Sequence, residues 1–497
     1  MIWALRTWET IVLVYFLIYN ATNFLLLSVA WMRVRFFLSL KALHDRRKQS
    51  SGHALPAISL LVPAFNEEQT ITENIKSLAA LNYPHFEIIV VNDGSTDRTL
   101  DVLKSAFNFT RRDVGYQKTI PVAGILGFYE APAAAGRGVK RLILIDKENA
   151  GKSDALNCAL NAATSDYVCS MDADSLMNND TLLEIMRLWT QDPDRYFACG
   201  GQVGIANGSQ VENGRVVKLE LPKEPLLMFQ MVEYMRSFTA GRTALAALDS
   251  LVILSGVFAV FRKDILMKAG GFLTRRLDVR IAREYARGRE TVCEDMEIVV
   301  RLHRYCREKN LPSGLLFLPH PITWSQAPAT LRDFGRQRNR WYRGLAQVLF
   351  IHRGMILNPA YGMVGIFGMP YQFLFEFLGP LIEAAGYCSI PLLYAAGALK
   401  LKTFTLFLLL SIFCGMLLNI YAVVIGLWKQ RGFEQQEALS LFRYRGLKNA
   451  LKLIIYAALS MLGYRQLQLF YQLQGFKDFL LGSQTWGKFK RQKFKTA

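Results

Sequence analysis

The apolar positions along the chain fall into two regimes. Ile11 to Met32 is an uncharged run long enough to cross a bilayer, and it is followed by Arg33, Arg35, Lys41, Arg46, Arg47 and Lys48. That order predicts a signal anchor whose basic flank faces the cytosol. A cleaved signal peptide would have a shorter apolar core and a small-residue cleavage site after it. Beyond a polar linker, Lys48 to Ala54, short β-rich runs alternate with helical ones. Ile58 to Val62, Phe86 to Val91, Arg141 to Ile145, Asp166 to Met171 and Phe197 to Val203 read as strands; Glu67 to Leu81, Asp97 to Phe107, Lys152 to Thr164 and Asp180 to Thr190 read as helices. This alternation predicts an α/β domain on a largely parallel sheet, with ligands bound beyond the carboxyl ends of the strands. From Tyr361 the apolar density returns, with candidate crossings at Tyr361 to Leu399, Phe404 to Trp428 and Leu447 to Tyr464. The first accommodates either one tilted helix with an interfacial lead-in or a tight hairpin turning at Gly379-Pro380. The expected divisions are an anchor and its flank over 1–50, the α/β domain over 51–330, an interfacial helix over 331–358, a membrane region over 359–470 and a basic tail over 471–497.

Composition agrees with a chain that is only partly soluble: 52% of the 497 residues are hydrophobic and 20% charged. The formal charge of +19 comes with no nucleic-acid motif and gathers beside apolar segments, so orientation and anionic lipid account for it and no nucleic-acid partner is expected. The positive-inside rule favours cytosolic placement for both Lys429 to Lys448 and Lys488 to Lys495. Both cannot hold if Leu447 to Tyr464 crosses, so either one assignment fails or that helix lies in the interface. The seven cysteines are scattered and form no CxxC pair, which predicts reduced thiols facing a cytosol, without disulfides or zinc.

The candidate chemistry begins where Tyr167-Val168-Cys169-Ser170-Met171 runs straight into Asp172-Ala173-Asp174. Carboxylates spaced i, i+2 on extended chain share a face, and hard oxygen ligands at a strand end suit Mg²⁺ or Mn²⁺ beside a diphosphate. Alone, the same pair reads as a solvated turn. Two more strand exits carry carboxylates: Val62-Pro63-Ala64-Phe65-Asn66-Glu67-Glu68 and Val90-Val91-Asn92-Asp93-Gly94-Ser95-Thr96-Asp97. They are placed to accept hydrogen bonds from a base or ribose, and Ser95 or Asp97 equally suits a helix cap. Asn149-Ala150-Gly151-Lys152-Ser153-Asp154-Ala155-Leu156-Asn157 puts a lysine at a helix start, and Cys293-Glu294-Asp295 adds another acidic pair. In Gln337-Arg338-Asn339-Arg340-Trp341, residues 337, 340 and 341 share a helical face. An amide, a guanidinium and an indole there either converge on one ligand or anchor an interfacial helix.

Taken in chain order, these six segments resemble the motifs of family 2 glycosyltransferases. The resemblance implies a GT-A fold, a Rossmann-like nucleotide-diphospho-sugar transferase domain in the cytosol, embedded between N- and C-terminal transmembrane helices. It implies that Pro63, Ala64, Glu67 and Asp93 bind the nucleotide, with Glu67 and Asp93 at the uridine, and that Asp172 and Asp174 are the DxD-type pair for Mg²⁺ or Mn²⁺. Lys152 would approach the diphosphate as a point charge. Glu294-Asp295 matches the ED motif, with Asp295 as catalytic base. Gln337, Arg340 and Trp341 match the QxxRW signature, which together with the apolar flanks is similar to the processive synthases of poly-N-acetylglucosamine, cellulose, hyaluronan and chitooligosaccharides. Trp341 would also offer its flat face to the acceptor sugar. The segment matching Ser255-Gly256 lies by the acceptor in those enzymes; here it follows an apolar run that reads as a strand, and a glycine kink in a buried strand is the other reading.

What the resemblance implies, then, is an inverting hexosyltransferase in the inner (plasma) membrane, multi-pass, with its catalytic domain cytoplasmic. It would take a UDP-sugar donor, UDP-N-acetylglucosamine first and UDP-glucose next, and extend a β-linked polysaccharide, with membrane lipid around it and an accessory export subunit as a further partner. The alternatives are a single-transfer enzyme with a lipid-linked acceptor and, from another class, an inactive scaffold or export component. Two departures stand out. Arg275, Arg276, Arg280, Arg283, Arg287 and Arg289 precede the ED motif, either clamping the nucleotide or forming a solvated, lipid-facing insertion. No cyclic-dinucleotide-binding domain follows the catalytic region, which weighs against a regulated cellulose synthase.

Overall fold

A computed structural model describes residues 2–46, 55–132, 138–212, 214–274, 276, 291–397, 400–428, 444 and 446–483. Its centre is set by strands too apolar to face water. β1 (Ile58–Ala64) is buried at every position but Pro63, and β2 (Phe86–Asp93) is buried throughout. Strands buried on both faces suit the middle of a covered parallel sheet. β1 runs parallel to β2 on one side and to β6 (Tyr167–Met171) on the other, and β2 runs parallel to β5 (Val139–Lys147). Helices α2 (Ile71–Ala79), α3 (Thr99–Phe107) and α4 (Lys152–Ala162) fall between these strands in sequence, as the alternation predicts.

The sheet as a whole is mixed, which corrects the expectation of a largely parallel one. β11 (Phe258–Arg262) inserts antiparallel between β6 and β8 (Tyr196–Ile205). β8 continues parallel into β12 (Gly314–Ser325), whose other neighbour is the short β7 (Leu176–Met177). At the opposite edge β4 (Ile125–Glu130) and β3 (Thr110–Arg111) pair antiparallel. The order is β3-β4-β5-β2-β1-β6-β11-β8-β12-β7. The apolar stretch Leu251 to Leu254 is not a strand; Ser255-Gly256 precedes β11 instead of following one. That inversion matters, because it brings Ser255-Gly256 to the same sheet end as Asp172, whose N–H donates to the Val257 carbonyl (3.2 Å).

The predicted anchor is one continuous helix, α1 (Ile2–Arg46), about 68 Å long at 1.5 Å per residue. Its membrane candidate is Arg6–Ser39. Leu26, Ala30, Val34 and Leu38, spaced by four, are buried in the same apolar cluster as the α/β domain. Each buried leucine there contributes about 1.5–3 kcal/mol, so the helix docks the domain as well as tethering it. Two further helical runs are long and apolar enough to cross a membrane, α11 (Val364–Ala395) and α12 (Leu401–Leu427). α11 runs through Gly379-Pro380, so the chain makes no hairpin there. Leu447 to Tyr464 does not form a single helix long enough to cross a bilayer. α13 (Leu447–Leu459) has 13 residues, about 20 Å against the ~30 Å of a bilayer core, and Lys452 Nζ donates to the Pro222 carbonyl (3.3 Å). The basic segments at 429–443 and 488–495 lie outside the described residues, as do Arg275, Arg280, Arg283, Arg287 and Arg289. All seven cysteines are free thiols.

Candidate active site

The carboxyl ends of β1, β2 and β6 lie side by side, and the predicted segments meet there. The turn after β1 is tied to the turn after β2: Asn66 N–H donates to Ser95 Oγ (3.0 Å), Thr96 N–H donates to Asn66 Oδ1 (2.8 Å), and Glu67 N–H donates to Thr99 Oγ1 (2.8 Å). Asn66 takes a left-handed conformation (φ 53°), and a turn closed by Thr70 N–H and Ile71 N–H on the Glu67 carbonyl leads into α2 at Ile71. The cap position of α3 is Arg98, not Ser95 or Asp97; Asp97, one residue before it, accepts from Thr99 N–H (2.9 Å).

Asp93 is 2% exposed, and both its oxygens are engaged. Lys147 Nζ (2.6 Å) and Ala150 N–H (3.1 Å) donate to Oδ1; Asn149 Nδ2 (3.2 Å) and Gly151 N–H (2.8 Å) donate to Oδ2. Lys147 also pairs with Asp154 of α4 (2.9 Å). Asp93 therefore shapes the turn that delivers Lys152, in addition to lining the cavity. Gly151 serves that turn with a left-handed φ of +91°.

Lys152 joins three motifs. Its ammonium lies 2.6 Å from Asp172 Oδ1, 2.8 Å from Glu294 Oε1 and 3.2 Å from the Gly256 carbonyl. Burial disfavours the charged lysine, but the two carboxylates outweigh that and raise its pKa above the usual lysine range. Burial likewise works to raise Glu294, but Lys152 prevails and holds it below the usual carboxylate range. Asp172 is raised, by burial first and then, against the pull of Lys152, by the neighbouring charge of Asp174.

Asp295 opens the first turn of α9 (Glu294–Glu308) and accepts from Gly256 N–H (3.0 Å) and Met296 N–H (2.9 Å). Burial, with Glu294 adding to it, pushes its carboxyl up to about 6 against the opposing charges of Lys152 and Arg242. A side chain at 256 would meet Lys152 Nζ at 3.0 Å and Asp295 Oδ2 at 3.4 Å, so glycine keeps these groups together.

α10 (Leu331–Ile351) carries the QxxRW segment and presses on the ED turn. Gly344 sits against Cys293, where a Cβ would come within 2.5 Å of the sulfur, and Val292 N–H donates to Gln347 Oε1 (2.9 Å). Gln337 is buried with its Oε1 unpartnered, Arg340 is half-buried, and Trp341 is 36% exposed. Gln337, Arg340 and Trp341 line one cavity with Pro63, Ala64, Glu67, Asp93, Lys152, Asp172, Asp174, Ser255, Gly256, Glu294 and Asp295. The structure thus brings every predicted site residue to a single space of about 620 Å³, within the size range of small-molecule sites.

The donor set fits a Mg²⁺ or Mn²⁺ ion. Asp172 and Asp174 are hard oxygen donors facing the cavity, and their mutual repulsion is what a cation relieves. No group of three possible ligands occurs among the described residues. Two carboxylates with phosphate oxygens and water are a common Mg²⁺ arrangement.

The sequence profile of Glycosyl transferase family group 2 matches residues 167–423, more than half of the chain. The chain belongs to this family. The profile of Glycosyl transferase family 2 matches residues 59–118. Similar curated proteins include the poly-beta-1,6-N-acetyl-D-glucosamine synthase of Staphylococcus epidermidis RP62A, 24% identical over 337 residues and 66% of each chain. The synthase of the same name from Staphylococcus aureus COL is 24% identical over 338 residues, also 66% of each. The probable glycosyltransferase YdaM of Bacillus subtilis 168 is 26% identical over 337 residues, 65% of this chain and 66% of that one. The match thus spans about 66% of the length of these relatives. Among solved structures, the mannosyltransferase PcManGT of Pyrobaculum calidifontis with GDP-Man and Mn²⁺ aligns at TM-score 0.49 and 19% identity, over 83% of this chain and 97% of that one. TarS 1-349 of S. aureus with UDP-GlcNAc aligns at TM-score 0.36 and 16% identity, over 82% and 92%.

Sequence reading of this glycosyltransferase missed Arg242, whose guanidinium lies 4.0 Å over the Phe238 ring with a buried, unpartnered Nη1 and faces Asp295. Burial lowers its pKa to about 10. It ends a π-helical turn, Met235–Arg242, a widening common at functional sites and without a sequence signature. Also missed was the extent of the cavity, which continues past Trp341 between the membrane helices.

Proposed function

We propose that this glycosyltransferase moves a hexosyl unit from a UDP-sugar, UDP-N-acetylglucosamine before UDP-glucose, onto the end of a growing β-linked polysaccharide, with inversion, and passes the product into its own membrane domain. One observation carries this reading: the cavity holding Asp172, Asp295 and Trp341 is continuous with a polar corridor among the apolar helices. Each helix turns a regularly spaced stripe inward: Tyr15, Tyr19 and Asn23 on α1, Gln372, Glu376, Gly379 and Glu383 on α11, Ser411, Gly415 and Asn419 on α12. A lipid-facing helix has no use for such a stripe, whereas a hydroxyl-rich chain needs it. The names of the staphylococcal relatives support the choice of sugar.

In this account Pro63, Ala64 and Glu67 form the nucleotide end, and Asp93 acts there through the 149–151 turn that it holds. Asp172 and Asp174 would hold a divalent cation, whose charge would offset that of the negative diphosphate leaving group. Lys152 and Arg340 add fixed positive charge beside it, a preorganised contribution on the order of several kcal/mol. Asp295, more basic than an ordinary aspartate, takes the proton of the acceptor hydroxyl as that oxygen attacks the anomeric carbon. Its fixed hydrogen bonds from Gly256 and Met296 aim the carboxylate, and Trp341 gives the acceptor ring an apolar face. The basic flank of α1 supports a cytosolic catalytic domain in a multi-pass protein of the inner membrane. Incubating membranes with a panel of labelled UDP-sugars, then sizing and enzymatically digesting the product, tests the reading. A β-linked polymer from one donor supports it; single-sugar products contradict it.

A further inference from the structure

The backbone of α10 is held by the helix Tyr464–Leu480. Gly475 lies against it, where a Cβ would come within 2.7 Å of the Asn339 carbonyl oxygen, and Asn339 Nδ2 donates to Asp478 Oδ2 (2.7 Å). Trp341 on the same helix is 36% exposed, so a fixed backbone alone leaves the side-chain torsions of its indole open. Arg338 rests on that indole. Its guanidinium carbon lies 4.3 Å from the centre of the Trp341 ring and 4.8 Å from that of Phe334. Spacings of four and three residues put 334, 338 and 341 on one helical face.

Keeping this guanidinium buried is costly. Arg338 is 4% exposed, and its Nη2 donates to Glu233 Oε2 (2.8 Å), while Nε and Nη1 are buried without a hydrogen-bond partner. An unsatisfied buried donor costs about 1–3 kcal/mol, a penalty that a methionine between the same rings would not carry. What arginine offers there is a flat cation whose orientation is set from outside α10. Glu233 belongs to the helix Pro225–Tyr234, and the hydroxyl of Tyr464 donates to the same carboxylate oxygen. The Tyr464 ring also lies 5.6 Å from Phe334. Three helices thus fix the guanidinium, and the guanidinium holds the indole by an attraction of about 0.5–2 kcal/mol.

We propose that Arg338 is a positioning residue for the acceptor: aimed by Glu233, it holds the Trp341 ring in one orientation, so that the exposed part of the ring is presented to the acceptor sugar. The proposal rests on the reading above, in which Trp341 receives the acceptor. It divides the two arginines of the QxxRW segment. Arg340 acts on the diphosphate, and Arg338 acts on the acceptor only through Trp341.

The test measures KM for the UDP-sugar and for an added acceptor, the oligosaccharides released by partial digestion of the enzyme's own product, in membranes holding the full chain. Arg338→Met is expected to raise the acceptor KM about tenfold while the donor KM stays within about twofold. Arg338→Lys keeps a cation on Glu233 and so preserves the fold, but it has no planar face, and its acceptor KM should remain at least about threefold above wild type. In the Trp341→Ala background Arg338→Met should add nothing further, because the ring through which it acts is gone. A wild-type acceptor KM in Arg338→Lys, donor and acceptor KM rising together, or effects that multiply in the double variant would each reduce Arg338 to a structural ion pair and overturn the proposal. Should Arg338→Met not accumulate, Arg338→Lys decides, alone and with Trp341→Ala. A wild-type acceptor KM in Trp341→Ala, or a wild type that extends no added oligosaccharide, overturns instead the acceptor reading beneath it.

Discussion

The pH dependence of transfer gives a quantitative hold on Asp295. The carboxylate acts as a base only when ionised, and burial together with Glu294 puts its pKa at about 6. Its ionised fraction is about nine-tenths at pH 7, half at pH 6 and about one-tenth at pH 5. The rate at saturating donor should therefore fall roughly tenfold per unit below pH 6, whereas an aspartate with the ordinary pKa of about 3.9 would stay flat to near pH 4.5. Glu294→Gln removes the neighbouring charge that raises Asp295, so the acid limb should move to lower pH; each unit corresponds to about 1.36 kcal/mol. Asp295→Asn removes the base and should cost about 10²–10⁴ in rate, with donor affinity little changed. The assay is continuous UDP release from purified membranes between pH 4.5 and 8, with donor binding measured separately. A limb that moves upward in Glu294→Gln, or an Asp295→Asn variant that turns over normally but loses nucleotide affinity, would refute the assignment.

Asp174→Asn should abolish transfer with folding intact, and excess EDTA should do the same to the wild type; full activity in EDTA would show that no divalent cation is needed. Trp341→Ala should shorten or abolish polymer while UDP-sugar hydrolysis stays measurable, since it removes an acceptor face and leaves Asp172 and Asp174 in place. Arg301→Met should destabilise the fold by about 3–5 kcal/mol, because it leaves Glu297 buried beside His352 without the guanidinium that now holds it 2.8 Å away. Thermal unfolding of the solubilised protein checks this, and an unchanged midpoint would contradict it.

The strand-exit half of the candidate site, proposed for the nucleotide, was legible in the sequence because each of its parts follows a strand. Apolar runs ending in Asp93 and Asp172 announce both the strand and the sheet end where ligands gather. The half proposed for the acceptor was less legible. Ser255-Gly256 was expected after a strand and lies before β11, since Phe258–Arg262 passes directly into a helix at Lys263 with no turn residue to mark it. The hub role of Lys152 and the facing of Arg242 toward Asp295 depend on packing between segments far apart in sequence, which no local pattern encodes. The corridor stripe was visible in principle: residues 372, 376, 379 and 383 follow a helical period inside an apolar run, and Glu376 and Glu383 interrupt it. What hid the stripe is that its meaning depends on which faces of three helices meet. Leu447 to Tyr464 misled for a simpler reason: its apolar residues lie on a helix that ends at Leu459, with Leu453 and Ala457 buried while Leu447, Leu451, Ile455 and Leu459 stay exposed.

The central claim, that synthesis feeds directly into the membrane corridor, is tested by sealed vesicles oriented with the catalytic domain outside and supplied with labelled UDP-sugar and Mg²⁺. The account predicts polymer in the lumen, protected from added glycosidase until detergent is introduced. Product that the glycosidase digests completely in intact vesicles would contradict it.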